Sequence, residues 1–317
     1  MNGGARVLVT GASGFVGAYL VRCLVAQGFA VRGASRSPTP IFGAEAVLLP
    51  DLARDFDAGP LVANIDAVVH LAGIAHATSA IPDAIYHAVN AEASRKLAVA
   101  AGEARVRQFI LMSSVRAQSG PCAGAVLTEA MDPAPTDAYG RSKLEAERAI
   151  AAALEGTHTA SVALRPVLIY GPGVKGNMGV LERLARSRLP LPLGGLSAKR
   201  SLLSLENLAG AVEYCLRATP IVHGTYLVAD ANPVSVAEII ANLRAGLGRK
   251  PGLVAMPSHP IQMLLRRAGR ANAADRLFGN LIVDTAALRL TGWSPQHNTA
   301  HALAAWMRDS PDRSWIA

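Results

Sequence analysis

At 317 residues the chain is longer than one ordinary domain, and with 51% hydrophobic but only 5% aromatic residues it can fill a large core with small and branched aliphatic side chains. No apolar run reaches the roughly 18 residues that would cross a bilayer, and the first residues lack a basic and then apolar leader; the expectation is a cytoplasmic protein without membrane insertion. The net charge of +8 favours anionic partners, but the basic residues are dispersed. Their densest clusters, at 183–188 and 266–270, read as solvated helix faces, and nothing resembles a nucleic-acid motif. Cys23, Cys122 and Cys215 lie far apart with no histidine in ligand spacing. They are predicted to be small buried apolar residues, with neither a disulfide nor a metal site.

In chain order, Val7, Leu8 and Val9 form a short β-forming run that breaks into a turn carrying Gly11, Gly14 and Gly17. An amphipathic helix follows, with Phe15, Val16, Leu20 and Val21 as its apolar residues. Such a strand, glycine turn and helix can hold a pyrophosphate, because bare glycine backbone admits the phosphates and the helix N-terminus offers free N–H groups and positive charge. Gly11, Ser13, Gly14, Phe15, Val16 and Gly17 are therefore the candidate dinucleotide cradle, an ordinary βα turn being the plainer alternative. Residues 30–36 form a second strand ending in Ser35 and Arg36. A carboxylate there would bind the adenosine 2′-hydroxyl of NAD, whereas an arginine attracts a 2′-phosphate, so Arg36 argues for NADP, with NAD as the alternative.

A third strand is predicted over 47–49, reaching Asp51 and Leu52. Residues 66–73 form a continuous apolar run stopped by small residues, the pattern of a strand buried on both faces. A helix over 86–102 and a strand over 108–112 follow, the latter ending in Ser113 and Ser114. A Pro/Gly/Ala-rich loop leads to a helix that begins near Thr136 and runs through Ala153, and a further strand spans 161–170. The alternation predicts an α/β doubly wound parallel sheet over 1–170. Residues 171–317 are predicted to form mostly a smaller C-terminal substrate-binding domain, with strands near 201–230 returning to the first.

Tyr139 and Lys143 are four residues apart, which on a helix stacks them on one face. A phenol with a pKa near roughly 10 becomes a base near neutrality when a cation beside it stabilises the phenolate. A serine from a neighbouring strand end can bond the same substrate oxygen; Ser114 is the first candidate and Ser113 the second.

The spacing Thr10-Gly11-x-x-Gly14-x-x-Gly17, the HLAG at 70–73, the Ser113-Ser114 strand end, Tyr139-x-x-x-Lys143 and Arg165-Pro166 occur in the order of one family. Over residues 5–295 the chain resembles an extended short-chain dehydrogenase/reductase of the epimerase/dehydratase branch. The resemblance implies a Rossmann-like fold and a catalytic set of Ser114, Tyr139 and Lys143, with Lys143 also holding the nicotinamide ribose. It further implies that Asp51 and Leu52 meet the adenine, that Leu71, Ala72 and Gly73 lie against the cofactor, that Asn90 and Pro166 belong to the same site, and that His76 faces the cleft.

The second half resembles enzymes of this branch that act on nucleotide sugars. Gly171-Pro172-Gly173 followed by Asn177 is similar to a sugar-nucleotide segment, and residues 200–208 are similar to a stretch whose arginine, here Arg200, meets the UDP pyrophosphate. Arg276 would be a second phosphate contact. LPLPLG at 189–194 is similar to a subgroup acting on UDP-linked sugars for surface polysaccharides, and LTGWSP at 290–295 to the family's close.

Val115-Arg116 stands where the dehydratases carry an Asp-Glu pair, which disfavours dehydration. The expected activity is NADP-dependent reduction of a 4-keto group at C4 of a UDP-sugar. A UDP-hexose 4-epimerase with NAD is the alternative, and a non-enzymatic cofactor-binding regulator the third reading. The resemblance also implies a homodimer. The helices after Asn90 and Tyr139, with Leu144, Ala146, Ala149, Ile150 and Ala153, could meet a second copy or be buried within one chain.

Overall fold

Val7 and Val9 of β1 (Arg6–Thr10) join one core and Leu8 the other, because side chains alternate along an extended strand, and all three are fully buried. A computed structural model describes residues 4–37, 41, 43–75, 81–255, 262–263, 267 and 278–310. Around β1 stand β2 (Ala30–Ser35), β3 (Glu45–Leu48), β4 (Ala67–His70), β5 (Gln108–Met112), β6 (Ala160–Pro166) and β10 (Gly224–Val228). They form one parallel sheet of seven strands in the order β10-β6-β5-β4-β1-β2-β3. In register, Val9 lies opposite Gly33 on one side and Val69 on the other. The order reverses at β1 and β4, and a doubly wound sheet opens its ligand crevice at the carboxyl ends of such strands.

Helices α1 (Phe15–Ala26) and α7 (Leu205–Arg217) cover the Val7/Val9 face. The Leu8 face carries α2 (Gly59–Val62), α4 (Ala93–Glu103) and α5 (Ala138–Leu154). Helix α3 (Asp83–Tyr86) runs into α4 through a π-helical turn, His87–Glu92, so the helix begins three residues before the predicted start. Leu144, Ala146 and Ile150 are buried inside the chain, and the outer face of α5 shows Arg141, Glu145 and Arg148.

The strand predicted over 161–170 is two strands. β6 ends at Pro166, which has no N–H to continue a ladder, and β7 (Leu168–Tyr170) leaves the sheet to pair in parallel with β9 (Leu202–Ser204). Beyond it a third core gathers Tyr170, Met178, Leu202, Ile240, Leu303 and Met307 between α6 (Gly176–Arg186), α8 (Val236–Gly246) and α10 (Thr299–Asp309). Two-residue strands β8 (Lys199–Arg200) and β11 (Val234–Ser235) pair antiparallel, and α9 (Ala286–Leu290) follows.

Buried polar groups tie these layers together. Asp230 accepts from the Tyr170 hydroxyl at 2.7 Å, from Ser204 N at 2.9 Å and from Asn207 Nδ2 at 2.7 Å, joining the chain after β10 to β7, β9 and α7. Arg244, 3% exposed, donates to the carbonyls of Leu184, Ala185, Ser187, Leu189, Pro251 and Gly252. The cysteines depart from expectation in part: Cys215 is buried in the core, while Cys23 and Cys122 are only half-buried. Among the described residues no helix is long and apolar enough to cross a membrane.

Candidate active site

The glycine turn is built by steric necessity. Gly11 has φ +70°, and a Cβ there would lie 2.9 Å from Ala72 N; a Cβ on Gly17 would lie 2.2 Å from Gly11 O. Only bare backbone lets the end of β1 meet both the β4 end and the first turn of α1. No side chain caps α1 at Gly14 and no acidic residue stands in its first turn, while Ser13 and Gly14 are exposed. The helix start is therefore left without a side-chain cap or an opposing carboxylate, which suits it to a pyrophosphate. The residues present thus fit a dinucleotide.

Three turns of α5 meet three consecutive residues at the end of β5. Tyr139 stands beside Ser114, Lys143 Nζ donates to Met112 O at 3.0 Å, and Ser113 Oγ donates to Glu147. Ser113 is thus engaged inward and Ser114 is the serine beside Tyr139. Burial pushes the Tyr139 phenol up; the neighbouring Ser114 hydroxyl and the Arg116 guanidinium oppose that, and Asp137 adds to it. Burial pushes the Lys143 ammonium down to about 8, with Glu147 working the other way. Asp137 caps α5 by accepting from Gly140 N at 2.7 Å and also pairs with Arg116 Nη2 at 2.6 Å.

A second chain of hydrogen bonds links the glycine turn to α5. Ala72 N donates to Thr10 Oγ1 at 3.1 Å, and Thr10 Oγ1 bonds His70 Nδ1 at 2.7 Å. His70 Nε2 bonds Ser94 Oγ at 2.9 Å, whose own proton goes to Asn90 O. Asn90 Nδ2 donates to Ser142 Oγ at 2.9 Å, and Ser142 Oγ to Tyr139 O. With the Ser94 proton given to Asn90 O, His70 Nε2 donates to Ser94, and a neutral ring accepts at Nδ1 from Thr10. Burial, reinforced by the Lys143 charge, holds His70 down at about 3. Asn90 also clasps both backbone groups of Ile74 and is 1% exposed, so it braces the loop after β4. A Cβ on Gly73 would lie 2.7 Å from Asn90 Oδ1 and 3.5 Å from Lys143 Nζ, which places Gly73 beside the lysine.

The remaining expected positions are dispersed. Arg36 is exposed at the end of β2, whereas Ser35 is buried and donates to Ser37 O. Asp51 accepts from Ala53 N at 3.0 Å and pairs with Arg54 at 3.3 Å, the arrangement of a turn aspartate, with Leu52 half-buried beside it. Leu71 is half-buried and Pro166 buried. Asn177 is exposed in the first turn of α6. Arg200 donates to Gly279 O at 3.0 Å and Pro121 O at 2.8 Å, tying the loop after Ser114 to the segment before α9. His76 and Arg276 lie outside the described residues. Among the described residues no group of three His, Cys, Asp or Glu side chains is placed to hold a metal.

His70, Ser94, Ser142 and Glu147 were not anticipated as site residues. Glu147 had a signal: it stands four residues after Lys143 on the same helical face, and Arg165 sits in a buried strand that must supply it with a partner.

The chain is 32% identical over 296 residues to a UDP-glucose 4-epimerase of Vibrio cholerae, covering 91% of this chain and 90% of that one. In fold it is similar to MoeE5 in complex with UDP-glucuronic acid and NAD, with TM-score 0.74 and 24% identity over 96% of this chain and 100% of that one. It is likewise similar to the human epimerase family protein SDR39U1 with NADPH, with TM-score 0.74 and 23% identity over 96% and 99%. The model of the NAD dependent epimerase/dehydratase family matches residues 7–229, the span that holds the glycine turn, Ser114, Tyr139 and Lys143, and the chain belongs to that family.

Proposed function

We propose that the chain is an NAD(P)-dependent oxidoreductase acting in the cytoplasm at C4 of a UDP-linked sugar. The observation that carries this reading is the convergence of Ser114, Tyr139 and Lys143 at the carboxyl end of β5. Tyr139 moves the proton of the C4 oxygen, Ser114 bonds that oxygen and fixes its direction, and the Lys143 ammonium favours the ionised phenol. The uncapped start of α1 and the glycine turn hold the dinucleotide, which when bound supplies hydride transfer. Val115 and Arg116 offer no acid or base for removing water, so dehydration is not part of the reading.

Net reduction of a 4-keto sugar with NADPH is favoured by Arg36, exposed where an NAD site would carry a carboxylate. The similarity of the LPLPLG segment supports a role in the supply of surface-polysaccharide sugars. A second reading, 4-epimerisation with retained NAD, is favoured by the 32% identity to the Vibrio cholerae UDP-glucose 4-epimerase over nine-tenths of both chains. Asn177 and Arg200 are the proposed contacts to the nucleotide sugar, and Asp51 and Leu52 those to the adenine. A homodimer through α4 and α5 would close over Arg95, Arg141, Glu145 and Arg148, which are exposed. A dimer mass in sedimentation at micromolar concentration supports it, and a monomer mass removes it.

The test is to denature the purified protein, identify any released dinucleotide, titrate NADPH and NADH, and assay UDP-hexoses for 4-epimers. Released NAD with epimer formation selects the epimerase; empty protein that prefers NADPH selects the reductase. Tyr139→Phe is expected to lower turnover by about 10²-fold or more while dinucleotide still binds. Undiminished turnover in that variant would remove the mechanism.

A further inference from the structure

Behind the catalytic face lies a buried ion pair that the reaction as described does not use. Glu147 and Arg165 are 9% and 4% exposed. Arg165 Nε reaches Glu147 Oε1 at 2.9 Å and its Nη2 reaches Oε2 at 2.6 Å. Arg165 Nη1 donates to Gln118 Oε1, and Gln118 Nε2 donates onward to Met131 O at 2.7 Å. The pair therefore clamps β6 and the loop after Ser114 to α5. Replacing such a pair by apolar residues is often neutral for stability, so stability alone does not account for it.

The contacts of α5 give it another purpose. Tyr139, Lys143 and Glu147 occupy successive turns of one helical face, and they meet Ser114, Met112 and Ser113. Tyr139 and Lys143 make contacts the substrate and cofactor must disturb, whereas the Ser113 bond to Glu147 is out of the way. We propose that Glu147 is a positioning residue: anchored by Arg165, it fixes the register of Met112–Ser114 against α5 and sets a negative charge one turn behind the Lys143 ammonium.

Among the described residues the charged and titratable groups facing Lys143 are few. On α5 they are Glu147 and Tyr139, β4 contributes the neutral His70, and Arg165 of β6 is held by Glu147. Of these Glu147 is the one that favours the charged lysine, opposing the effect of burial. Without it the ammonium loses its proton at lower pH, and Tyr139 loses the cation that makes it a base.

This inference rests on the functional reading above, and its test separates the two. Glu147→Met with Arg165→Met removes both charges while keeping volume, and Ser113→Ala removes only the serine anchor. The variants are compared with wild type in thermal stability, NADPH binding, kcat and KM. The Lys143 midpoint is read without substrate by NMR of lysine labelled with ¹³C at Cε. The chain's other lysines are Lys96, Lys175, Lys199 and Lys250, and the Lys143 signal is identified by its loss in Lys143→Met. The double variant is expected to fold and bind NADPH within about twofold, with kcat lower by about tenfold or more at little-changed KM. Its Lys143 midpoint falls by about half a pH unit or more. Ser113→Ala lowers kcat by about threefold and leaves that midpoint in place. A folded double variant with wild-type kcat and midpoint overturns the proposal. If the double variant does not fold, unchanged kcat in Ser113→Ala overturns it and the predicted loss supports it. If wild type turns over no UDP-sugar, the functional reading fails, and the Lys143 midpoint still decides the role of Glu147.

Discussion

A Cβ at residue 140 would lie 2.3 Å from the carbonyl oxygen of Arg116, so the first turn of α5 can rest on the 115–117 turn only because Gly140 has none. Gly140→Ala is expected to lift Tyr139 away from Ser114, lowering kcat about tenfold or more while NADPH titration shows binding within about twofold of wild type. His70 gives a pH effect whose sign follows from its neutral state. Held down at about 3 in the folded protein against an ordinary value of 6.5, it takes up a proton on unfolding anywhere between those values. Its contribution is therefore complete above pH 6.5 and is lost as pH falls toward 3, amounting to about 2 kcal/mol lost by pH 5. His70→Gln should flatten this part of the acid limb in denaturant unfolding followed from pH 7 to pH 4. The glycine turn and the placement of Tyr139 and Lys143 on one face of α5 could be read from the sequence because they lie in short spacing. His70 could not, since its partners Thr10 and Ser94 are 60 and 24 residues away.

Among the elements, those set by local pattern came closest to expectation: β5 spans the predicted 108–112, β1 runs one residue past 7–9 at each end, and α5 starts two residues after Thr136 and ends one residue past Ala153. The elements that surprised depend on remote partners. β7 continues an apolar run from β6, and only its pairing with β9, some thirty residues on, draws it out of the sheet. The π turn at His87–Glu92 has no signature in composition; it brings Asn90 to Ile74 across a loop. Arg244 is the corresponding case for loops, a buried cation satisfied entirely by carbonyls from the end of α6, 187–189 and 251–252. Arg244→Met would strand those carbonyls, and a loss of about 3 kcal/mol is expected by denaturant titration. Limited proteolysis should then cut first near 187–192.

The whole molecule is basic, with a net charge of +8 and a sequence pI near 9.8, and the ligands proposed for it are polyanions. Stopped-flow association of NADPH should slow several-fold between about 20 and 300 mM salt, with a shallower dependence in Arg36→Ala. A rate independent of salt would show that the charge has no steering role. The two halves of the chain are not two beads on a string. After β6 the chain passes through β7, α6, β8, β9 and α7 before β10 returns to the edge of the first sheet beside β6. This path has a consequence for biosynthesis. Until residue 228 has left the ribosome, the growing chain carries β6 with its outer edge unpaired, a sticky parallel edge during synthesis. Nascent chains stalled between 170 and 220 should therefore bind holdase chaperones and aggregate on release, and those stalled well beyond 228 should not.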